Sequence, residues 1–334
     1  MTQIFRPASD SRSSSTPIHW SWITLTGADA RDFLQRLTTV NTKTLQPNQG
    51  TEGCFLNAQG KIQAYFNLWN TGPDSYAFEL DSGKEDHWKQ ALLKVIALYT
   101  FGEKMTLTDR SSELQSTWIF LSEDEASKFE NQFQLKSKTT SFLPDEKIQI
   151  SHHGTQSFGR AWISLWGPKA SLEAWVQKNL PHSTPVSFQE IQKWRIENLA
   201  PWVDHEITDA SLPLEVGLRQ AVADNKGCYP GQEVIEKILA LGSPPRRIAL
   251  IHGNGTAPTP GSGITPLDSA SEIGKITSSA SESPKSDNAF IALGIIRKTH
   301  AKEGLEVQFP QGGAPSAQGK IIKVPAYQEQ ADQK

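Results

Sequence analysis

The spacing of hydrophobic positions changes several times along the first 110 residues, which indicates a mixture of strands and helices. Residues 22–25 form a short apolar run typical of a strand, and residues 76–80 form another. Two apolar and aromatic runs flank residues 57–60, so a hairpin is expected there. Two segments show apolar offsets of three and four, which predict helices over 30–37 and 85–98. The predicted buried side chains of the first helix are Ala30, Phe33, Leu34 and Leu37.

The same alternation continues through the rest of the chain. Strands are predicted over 118–121 and 160–165, and helices over 124–133, 168–180, 187–199 and 234–241. From residue 252 to 288 Gly, Ser, Thr and Pro dominate, a composition typical of solvated loops. Short apolar runs predict C-terminal strands over 272–277, 291–296, 305–309 and 320–324. Hairpins mixed with helices favour an α+β fold, here with a C-terminal β-barrel or sandwich.

The length of 334 residues corresponds to two or three domains at roughly 150 residues each. The predicted division is a flexible tail over 1–17, an α+β part over 18–110, a second α+β part over 111–243, a β-barrel domain over 244–327 and a tail over 328–334. Residues 1–17 are polar and lack the roughly 7–15-residue apolar centre of a signal peptide, so a cytoplasmic protein is expected.

Charge and cysteine content exclude several classes of protein. The net charge of -3 argues against strong direct binding of nucleic acid, and no apolar run approaches the ~20 residues of a membrane helix. The cysteines, Cys54 and Cys228, form no Cys-x-x-Cys motif, so no resident metal site is expected from this chain alone. His152, His153 and residues 204–206 could bind metal, but without a second ligand pair a turn or surface position is expected for them.

One segment combines a thiol, an amine and a predicted helix start. Residues 225–233 read NKGCYPGQE and lead into the helix predicted over 234–241, with Pro230 expected in its first turn and Gly242 at its end. A helix N-terminus and the nearby Lys226 would both lower the pKa of the Cys228 thiol. The spacing leaves two interpretations open, a reactive thiol or occasional metal ligand, and a small buried hydrophobe. For Cys54, inside a predicted strand, a buried position is expected.

Residues 226–233 resemble the signature of the YgfZ-type folate-binding proteins, which are relatives of the aminomethyltransferase (T-protein) of the glycine cleavage system. Further blocks match in the same order over roughly residues 23–310. These blocks are GAD at 27–29, FLQ at 33–35, LNAQGK at 56–61, RIE at 195–197, HE at 205–206, LPLEVGL at 212–218, EIGKITSS at 272–279 and ALGIIR at 292–297.

The resemblance implies a three-domain, ring-like architecture around a site for tetrahydrofolate or a derivative. A glutamate that matches Glu197 contacts the pterin, whose 2-amino group and adjacent N–H suit a carboxylate. Arg246 or Arg247, with Arg247 as the working assignment, would face the glutamyl carboxylate. Cys228 would be the essential thiol, and a transient metal ligand at most, with Lys226 beside it. The other residues assigned to the cofactor are Arg195, Tyr229, Gln232 and Glu233.

The sequence departs from the T-protein pattern where that enzyme carries an aspartate near the reacting methylene. The matching positions are Ala64 and Tyr65, so aminomethyl transfer would lack its electrostatic stabiliser and its candidate base. The YgfZ branch also lacks this aspartate. Two smaller departures are Pro230, in place of an aliphatic residue or Thr, and Lys237, in place of a common Arg.

The resemblance therefore implies an accessory protein that supports iron–sulfur cluster assembly or repair and iron–sulfur-dependent tRNA modification. The implied partners are iron–sulfur enzymes or assembly proteins, including radical-SAM tRNA-modifying enzymes, and no membrane. A conventional enzyme is not expected. The alternatives are a folate-dependent one-carbon (aminomethyl) transferase and a non-catalytic folate-binding scaffold.

Overall fold

The structure is a computed structural model that describes residues 2–7, 18–283, 286–309 and 317–326. The helices within these ranges are α1 (Ala30–Leu37), α2 (His87–Tyr99), α3 (Glu123–Phe133), α4 (Lys169–Asn179), α5 (Phe188–Glu197) and α6 (Gln232–Ala240). The strands are β1 (Gln3–Phe5), β2 (Trp20–Thr26), β3 (Gly50–Leu56), β4 (Ile62–Gly72), β5 (Ser75–Asp81), β6 (Thr106–Asp109), β7 (Gln115–Leu121), β8 (Thr139–Leu143), β9 (Ile148–Gly154), β10 (Ala161–Gly167), β11 (Thr184–Pro185), β12 (Arg246–Asn254), β13 (Gly263–Pro266), β14 (Gly274–Ser283), β15 (Ser286–Arg297), β16 (Glu306–Phe309) and β17 (Ala317–Lys323).

The chain divides into two compact units. The first contains Met1–Asn57, Gln63–Phe188 and Gln220–Pro230, and the second contains Ala58–Ile62, Gln189–Arg219 and Gly231–Lys334. The α+β fold class is confirmed. Apart from β1, the strands of each sheet all come from a single one of the predicted domains. The division into three domains itself stays a prediction.

The first sheet of unit one has the strand order β3-β4-β5-β2-β6. Its core receives the apolar faces of α1 and α2, which the sequence pattern predicted. The bounds of α1 agree with the prediction. Helix α2 begins two residues later than predicted because Glu85 and Asp86 adopt left-handed φ angles of 54° and 59°. Such angles are incompatible with a right-handed helix.

The second sheet of unit one has the order β11-β1-β7-β10-β9-β8, and α3 and α4 pack on it through Phe129 and Trp175. The predicted tail over 1–17 is wrong at Gln3–Phe5, since β1 pairs in parallel with β11 and antiparallel with β7. The alternating burial that marks a strand is hard to recognise in three residues. Residues 8–17 of that predicted tail lie outside the described residues, as does the tail predicted over 328–334.

Unit two contains a closed barrel with the order β12-β15-β14-β13-β16-β17, which confirms the predicted C-terminal β-barrel. The prediction of solvated loops between 252 and 288 is wrong over β13, the later part of β14 and the start of β15. The strand predicted over 272–277 is confirmed from Gly274 onward, where β14 begins. In β14 the buried Ile276 and Ser278 alternate with more exposed neighbours. This is the period of a strand with one inner face, which a Ser-rich composition conceals.

The helix of the signature segment differs slightly from its prediction. Helix α6 begins at Gln232, preceded by Gly231 with a left-handed φ of 81°, so Pro230 lies outside the first turn. Gly242, with a φ of 80°, follows the C-cap Leu241, as expected for a glycine that ends a helix. In the described part of the chain, no helix combines the length and apolar character needed to cross a membrane.

Candidate functional site

The loop before α6 is anchored to α1 through Lys226 and Gln35, both in unit one. The side-chain amide of Gln35 donates to the backbone carbonyl of Lys226, and Nζ of Lys226 donates to the backbone carbonyl of Gln35. Oε1 of Gln35 also accepts from the backbone N–H of Thr42 at 2.8 Å. Both Gln35 and Lys226 are buried. Their hydrogen bonds are therefore shielded from water and hold the loop against α1.

Lys226 is an unusual amine because it is buried. Burial lowers the pKa of its ammonium group from 10.5 to about 8, Lys43 lowers it further, and the charge of Cys228 opposes the change. Nζ also lies 4.7 Å from the centroid of the Tyr229 ring, a cation–π contact. Lys226 therefore releases its proton closer to neutral pH than an exposed lysine does.

The Cys228 thiol is exposed, and Cys54 is buried in β3 as expected. Burial, with the charge of Glu52, raises the pKa of the Cys54 thiol, which keeps it protonated and inert. The small-buried-hydrophobe interpretation of Cys228 is therefore wrong. Cys228 is adjacent to Gly227, whose φ of 89° is left-handed. The loop thus presents one accessible thiol beside a buried amine.

Other residues assigned from the sequence lie in unit two. Glu197 ends α5 with an exposed side chain, and its Oε1 is 3.8 Å from Nζ of Lys193. In α6, Gln232 donates to the carboxylate of Glu236, while Glu233 is exposed. The carboxylate of Glu197 is accessible to a ligand, whereas the amide of Gln232 already has a protein partner.

Arg195 is buried and bonded to several protein groups of unit two. Its Nη1 lies 2.9 Å from Oε2 of Glu206, and its Nη2 donates to Oγ of Ser278 at 2.6 Å. Ser278 donates in turn to Oε1 of Glu206 at 2.6 Å. Burial raises the pKa of Glu206, but the charge of Arg195 and these bonds lower it more. The structure gives Arg195 a structural role, and a ligand contact through it stays a prediction.

Two earlier expectations about polar clusters need correction. Glu206, expected in a turn or at the surface, is buried against Arg195. His152 and His153, expected in a similar position, lie in β9 and are buried. Among the described residues, no three His, Cys, Asp or Glu side chains are grouped as a metal ion would require.

The two arginines before the barrel both have protein partners. Arg246 makes a bidentate contact with Glu215, with Nε and Nη2 each 3.0 Å from a carboxylate oxygen. Arg247 donates to the backbone carbonyl of Pro325. The bidentate fork of Arg246 is therefore occupied, which favours Arg247 over Arg246 for any contact with a ligand carboxylate.

A second polar cluster, in unit one, was missed by the sequence analysis. Glu52 in β3 is 7% exposed. Its Oε2 accepts from the Tyr65 hydroxyl at 2.9 Å and from Nε2 of Gln220 at 3.1 Å. Its Oε1 accepts from Nζ of Lys138 at 3.0 Å. A carboxylate thus lies beside Tyr65 after all, supplied by the neighbouring strand.

The predicted hairpin contained the signal for this pair. Glu52 and Tyr65 each lie five residues from the turn over 57–60, so a symmetric hairpin places them opposite each other. Lys138 and Gln220 come from distant segments, and no local pattern indicates them.

Glu52 also lines a cavity of about 210 Å³ within unit one. Most of its lining side chains carry hydroxyl or amide groups. The polar members are Thr39, Asn41, Thr44, Gln49, Thr51, Glu52 and Gln220, and the apolar members are Val40, Leu45 and Ala223.

No family model matches the chain. Comparisons with curated proteins find relatives of low sequence identity. It is 24% identical over 299 residues to a chloroplastic protein of Arabidopsis thaliana named as a transferase; the match covers 86% of this chain and 65% of that protein's length. It is 24% identical over 240 residues to the tRNA-modifying protein YgfZ of Aliivibrio fischeri, covering 70% of this chain and 69% of the relative. The chain is thus similar, at low sequence identity, to proteins named YgfZ and, over 327 residues at 24% identity, to an aminomethyltransferase of Herpetosiphon aurantiacus.

A solved structure has a similar fold. The glycine cleavage system aminomethyltransferase T from Bartonella henselae superimposes with a TM-score of 0.79 at 17% identity, covering 96% of this chain and 85% of that one. At this identity the likeness concerns the fold. The predicted T-protein-like architecture is confirmed as an α+β fold with a C-terminal barrel.

Proposed function

We propose that the protein binds tetrahydrofolate or a derivative and supports iron–sulfur cluster assembly or repair, including iron–sulfur-dependent tRNA modification, with Cys228 as its essential thiol. The observation that carries the proposal is an exposed thiol beside a buried amine, on a loop fixed by Gln35. The printed function of the YgfZ relative, tRNA modification, agrees with it. The low cysteine content supports a reducing, cytoplasmic location.

The residues present fit a folate in part. The exposed carboxylate of Glu197 can accept two parallel N–H bonds from a pterin edge. Arg246 is engaged by Glu215, so the glutamyl carboxylate would depend on Arg247. A bound tetrahydrofolate supplies a carrier of one-carbon units. Tyr229 and Glu233 remain assigned to its site, and for Arg195 and Gln232 the assignment has less support because both are bonded to protein groups.

The number of cysteines limits how the protein could bind an iron–sulfur cluster. The chain has two cysteines, of which Cys54 is buried and Cys228 exposed. A cluster held by thiolates needs several such ligands. Cys228 would therefore act on a cluster only together with ligands of an iron–sulfur enzyme or assembly protein, and such proteins are the proposed partners.

Calorimetric titration of the reduced protein with tetrahydrofolate tests the cofactor. We expect binding that Glu197→Ala weakens at least tenfold, since the variant removes the proposed pterin acceptor. Glu190→Ala, an exposed glutamate on the same helix α5, is the matched control and should bind as the wild type does. A folded wild-type protein that binds no tetrahydrofolate would contradict the proposal and favour a scaffold.

The role of the thiol needs a separate experiment. A strain that lacks its own copy of the protein is complemented with the wild type or with Cys228→Ser, and tRNA methylthiolation is measured. We expect the variant to fail, while Cys54→Ala, which removes the buried thiol, restores modification. Full modification with Cys228→Ser would disprove an essential thiol.

Folate-dependent aminomethyl transfer is a second candidate, favoured by Glu52. The resemblance left this function without a carboxylate at Ala64 and Tyr65, and the structure supplies one 2.9 Å from the Tyr65 hydroxyl. A buried carboxylate is a candidate base or electrostatic stabiliser. Turnover of aminomethyl groups by the purified protein, lost in Glu52→Gln, would establish it.

A further inference from the structure

Three cationic side chains of unit one gather beside the exposed Cys228. Oε1 of Gln35 accepts from the backbone N–H of Lys43 at 3.3 Å, and its amide nitrogen donates to the backbone carbonyl of Lys226. The backbones of the two lysines are therefore separated by a single side-chain amide. The guanidinium of Arg31 lies against the same loop, with Nη2 donating to the carbonyl of Lys43 at 2.8 Å. Cys228 follows Lys226 by two residues, which is at most about 7.6 Å between Cα atoms.

Among the described residues, no carboxylate forms an ion pair with any of these three side chains. Nε and Nη2 of Arg31 bond backbone carbonyls at 3.3 and 2.8 Å. Nζ of Lys226 bonds the carbonyl of Gln35 and lies 4.7 Å from the centroid of the Tyr229 ring. A carbonyl group holds a cation in place without removing its charge. The fold therefore fixes these cations but does not neutralise them.

The charges of the surrounding groups leave a positive balance. Asp32, on α1, forms an ion pair with Arg36 at 2.8 Å, so these two charges offset each other. Asp224 is exposed on the same loop as the thiol and has a partner of its own. Burial and, to a smaller extent, the charge of Lys43 lower the pKa of Lys226 to about 8. The two ammonium groups are therefore close enough to repel each other.

The fold does not require a positive charge at Lys43. Its backbone N–H makes the bond to Gln35, while its side chain is exposed. Like charges repel, so placing this ammonium group beside Lys226 does not stabilise the folded chain. A positive field does favour the thiolate form of a nearby cysteine, and it attracts anions. The grouping therefore points to a negatively charged partner that approaches Cys228.

The number of cations and the chemistry of the thiol determine which anionic partner fits. A protein that holds nucleic acid through phosphate contacts commonly neutralises about 6–10 phosphates, which is more than three cations can do. Clusters ligated by cysteine thiolates carry negative charge, and Asp and Glu side chains add to it in an acidic segment. A cysteine of the partner is also a group that the Cys228 sulfur can contact directly. An acidic protein segment that carries cysteine therefore matches both the charge and the thiol.

We propose that Arg31, Lys43 and Lys226 form a cationic docking surface that guides an acidic, cysteine-bearing segment of a partner protein onto Cys228. Arg31 and Lys226 are held by their backbone partners and give the surface its position. Lys43 adds an exposed charge that discriminates between acidic and basic segments. Identification of the partner as an iron–sulfur protein rests on the proposed function, whereas the selection by charge does not.

The test uses the full chain and two synthetic pentapeptides, in which a cysteine lies between two pairs of glutamates or two pairs of lysines. Each peptide is supplied as its mixed disulfide with 5-thio-2-nitrobenzoate. The Cys228 thiolate attacks the peptide sulfur, a new disulfide forms, and the nitrobenzoate leaves as a coloured thiolate whose absorbance gives the rate. We expect the acidic peptide to react at least tenfold faster at low ionic strength. At about 1 M salt, where the screening length is about 3 Å, the rates should converge.

Variants separate the cationic docking surface from general properties of the thiol. Lys43→Glu reverses one charge and keeps the backbone N–H that bonds Gln35, so the ratio of acidic to basic rates should fall at least fivefold. Lys128→Glu, at an exposed position of α3, is the matched control and should keep the wild-type ratio. Lys43→Gln, expected to give an intermediate ratio, replaces Lys43→Glu if the latter unfolds. Cys228→Ser should release no nitrobenzoate, because Cys54 is buried.

The outcomes separate the two proposals. Equal rates with the two peptides at low ionic strength, or a ratio that Lys43→Glu leaves unchanged, would overturn the inference and leave the proposed function intact. Single-stranded RNA that slows the reaction more strongly than polyglutamate of the same charge would assign the surface to nucleic acid and also overturn it. Charge-selective reaction in a protein that binds no tetrahydrofolate, or that modifies tRNA without Cys228, would support the inference and contradict the proposed function.

Discussion

Lys226 and Gln35 exchange two hydrogen bonds across 191 positions of the chain, amide to carbonyl in one direction and ammonium to carbonyl in the other. The same Gln35 accepts from the Thr42 backbone, so one side chain of α1 joins two loops of unit one. This arrangement fixes where the exposed Cys228 is presented. Several consequences of the buried polar contacts can be measured.

Replacement of Gln35 by Ala should loosen the thiol loop. The carbonyl of Lys226 and the N–H of Thr42 lose their partner, at a cost of about 1–3 kcal/mol in unfolding free energy. Hydrogen–deuterium exchange should then rise over residues 225–229. Gln132→Ala, on the exposed face of α3, is the control and should change neither quantity. Unchanged exchange in Gln35→Ala would show that the loop is held by other contacts.

The stability of the protein should rise with pH because of Lys226. Its pKa is lowered from 10.5 to about 8 in the folded state, so between these values the unfolded chain binds more protons than the folded one. Unfolding free energy therefore increases as pH rises through this window. Lys226→Met should flatten that increase. Urea unfolding of the wild type and of Lys226→Met at several pH values measures the effect. If unfolding free energy rises equally with pH in both proteins, Lys226 is not the group responsible.

The buried carboxylate of Glu79 should matter more for stability than exposed carboxylates do. It accepts from Nε1 of Trp69 at 2.9 Å and from Nε1 of Trp166 at 2.8 Å, and Nε2 of His153 lies 3.2 Å away. Glu79→Gln should lower the unfolding free energy by about 3–5 kcal/mol, the range for breaking a buried pair. Glu113→Gln, at an exposed position, should stay within about 0.5 kcal/mol of the wild type.

The lowered pKa of Glu79 also predicts that the protein loses stability in acid. Burial raises its pKa, but the charge of His153 and the bonds from His153, Trp166 and Ser164 lower it more. A carboxyl with a lowered folded-state pKa stabilises above its ordinary value of 4.5, and this contribution is lost as pH falls below it. The difference between wild type and Glu79→Gln should therefore shrink below pH 4.5. A constant difference down to acidic pH would contradict this prediction.

The ion pair between Arg195 and Glu206 should stabilise unit two. Arg195→Met leaves Glu206 charged and buried, and we expect a loss of about 3–5 kcal/mol in unfolding free energy. Arg195→Lys should recover only part of it, because an ammonium group cannot bond Glu206 and Ser278 with the planar geometry of a guanidinium. Urea unfolding measures both variants. Full recovery by Lys would show that charge alone is required.

The elements that the sequence predicted well are those with a strong local period. The apolar stripe of α1 predicted its bounds, and apolar offsets of three and four over 85–98 predicted α2 to within two residues. The exposed thiol of Cys228 was one of two interpretations that spacing left open. Local patterns failed where polar side chains face inward, as with Ser278 in β14 and the two histidines of β9.

The contacts that define the sites depend on pairing between distant positions. Lys226 with Gln35 and Lys138 with Glu52 lie 191 and 86 positions apart, so no window of the sequence contains both partners. The pair of Glu52 and Tyr65 is different, because the symmetry of its hairpin was available from the turn. Symmetric strand pairing about the turn over 57–60 is enough to predict that Glu52 and Tyr65 lie opposite each other.

The position of β1 has a consequence for the order in which the chain assembles. Its three residues lie between β7 and β11, so the middle of the six-stranded sheet requires residues 3–5, 118–120 and 184–185 together. Residues 184–185 are synthesised long after residues 3–5, so β1 cannot acquire its parallel neighbour until β11 has left the ribosome. The two edges of β1 are therefore completed by segments that become available at different times during synthesis.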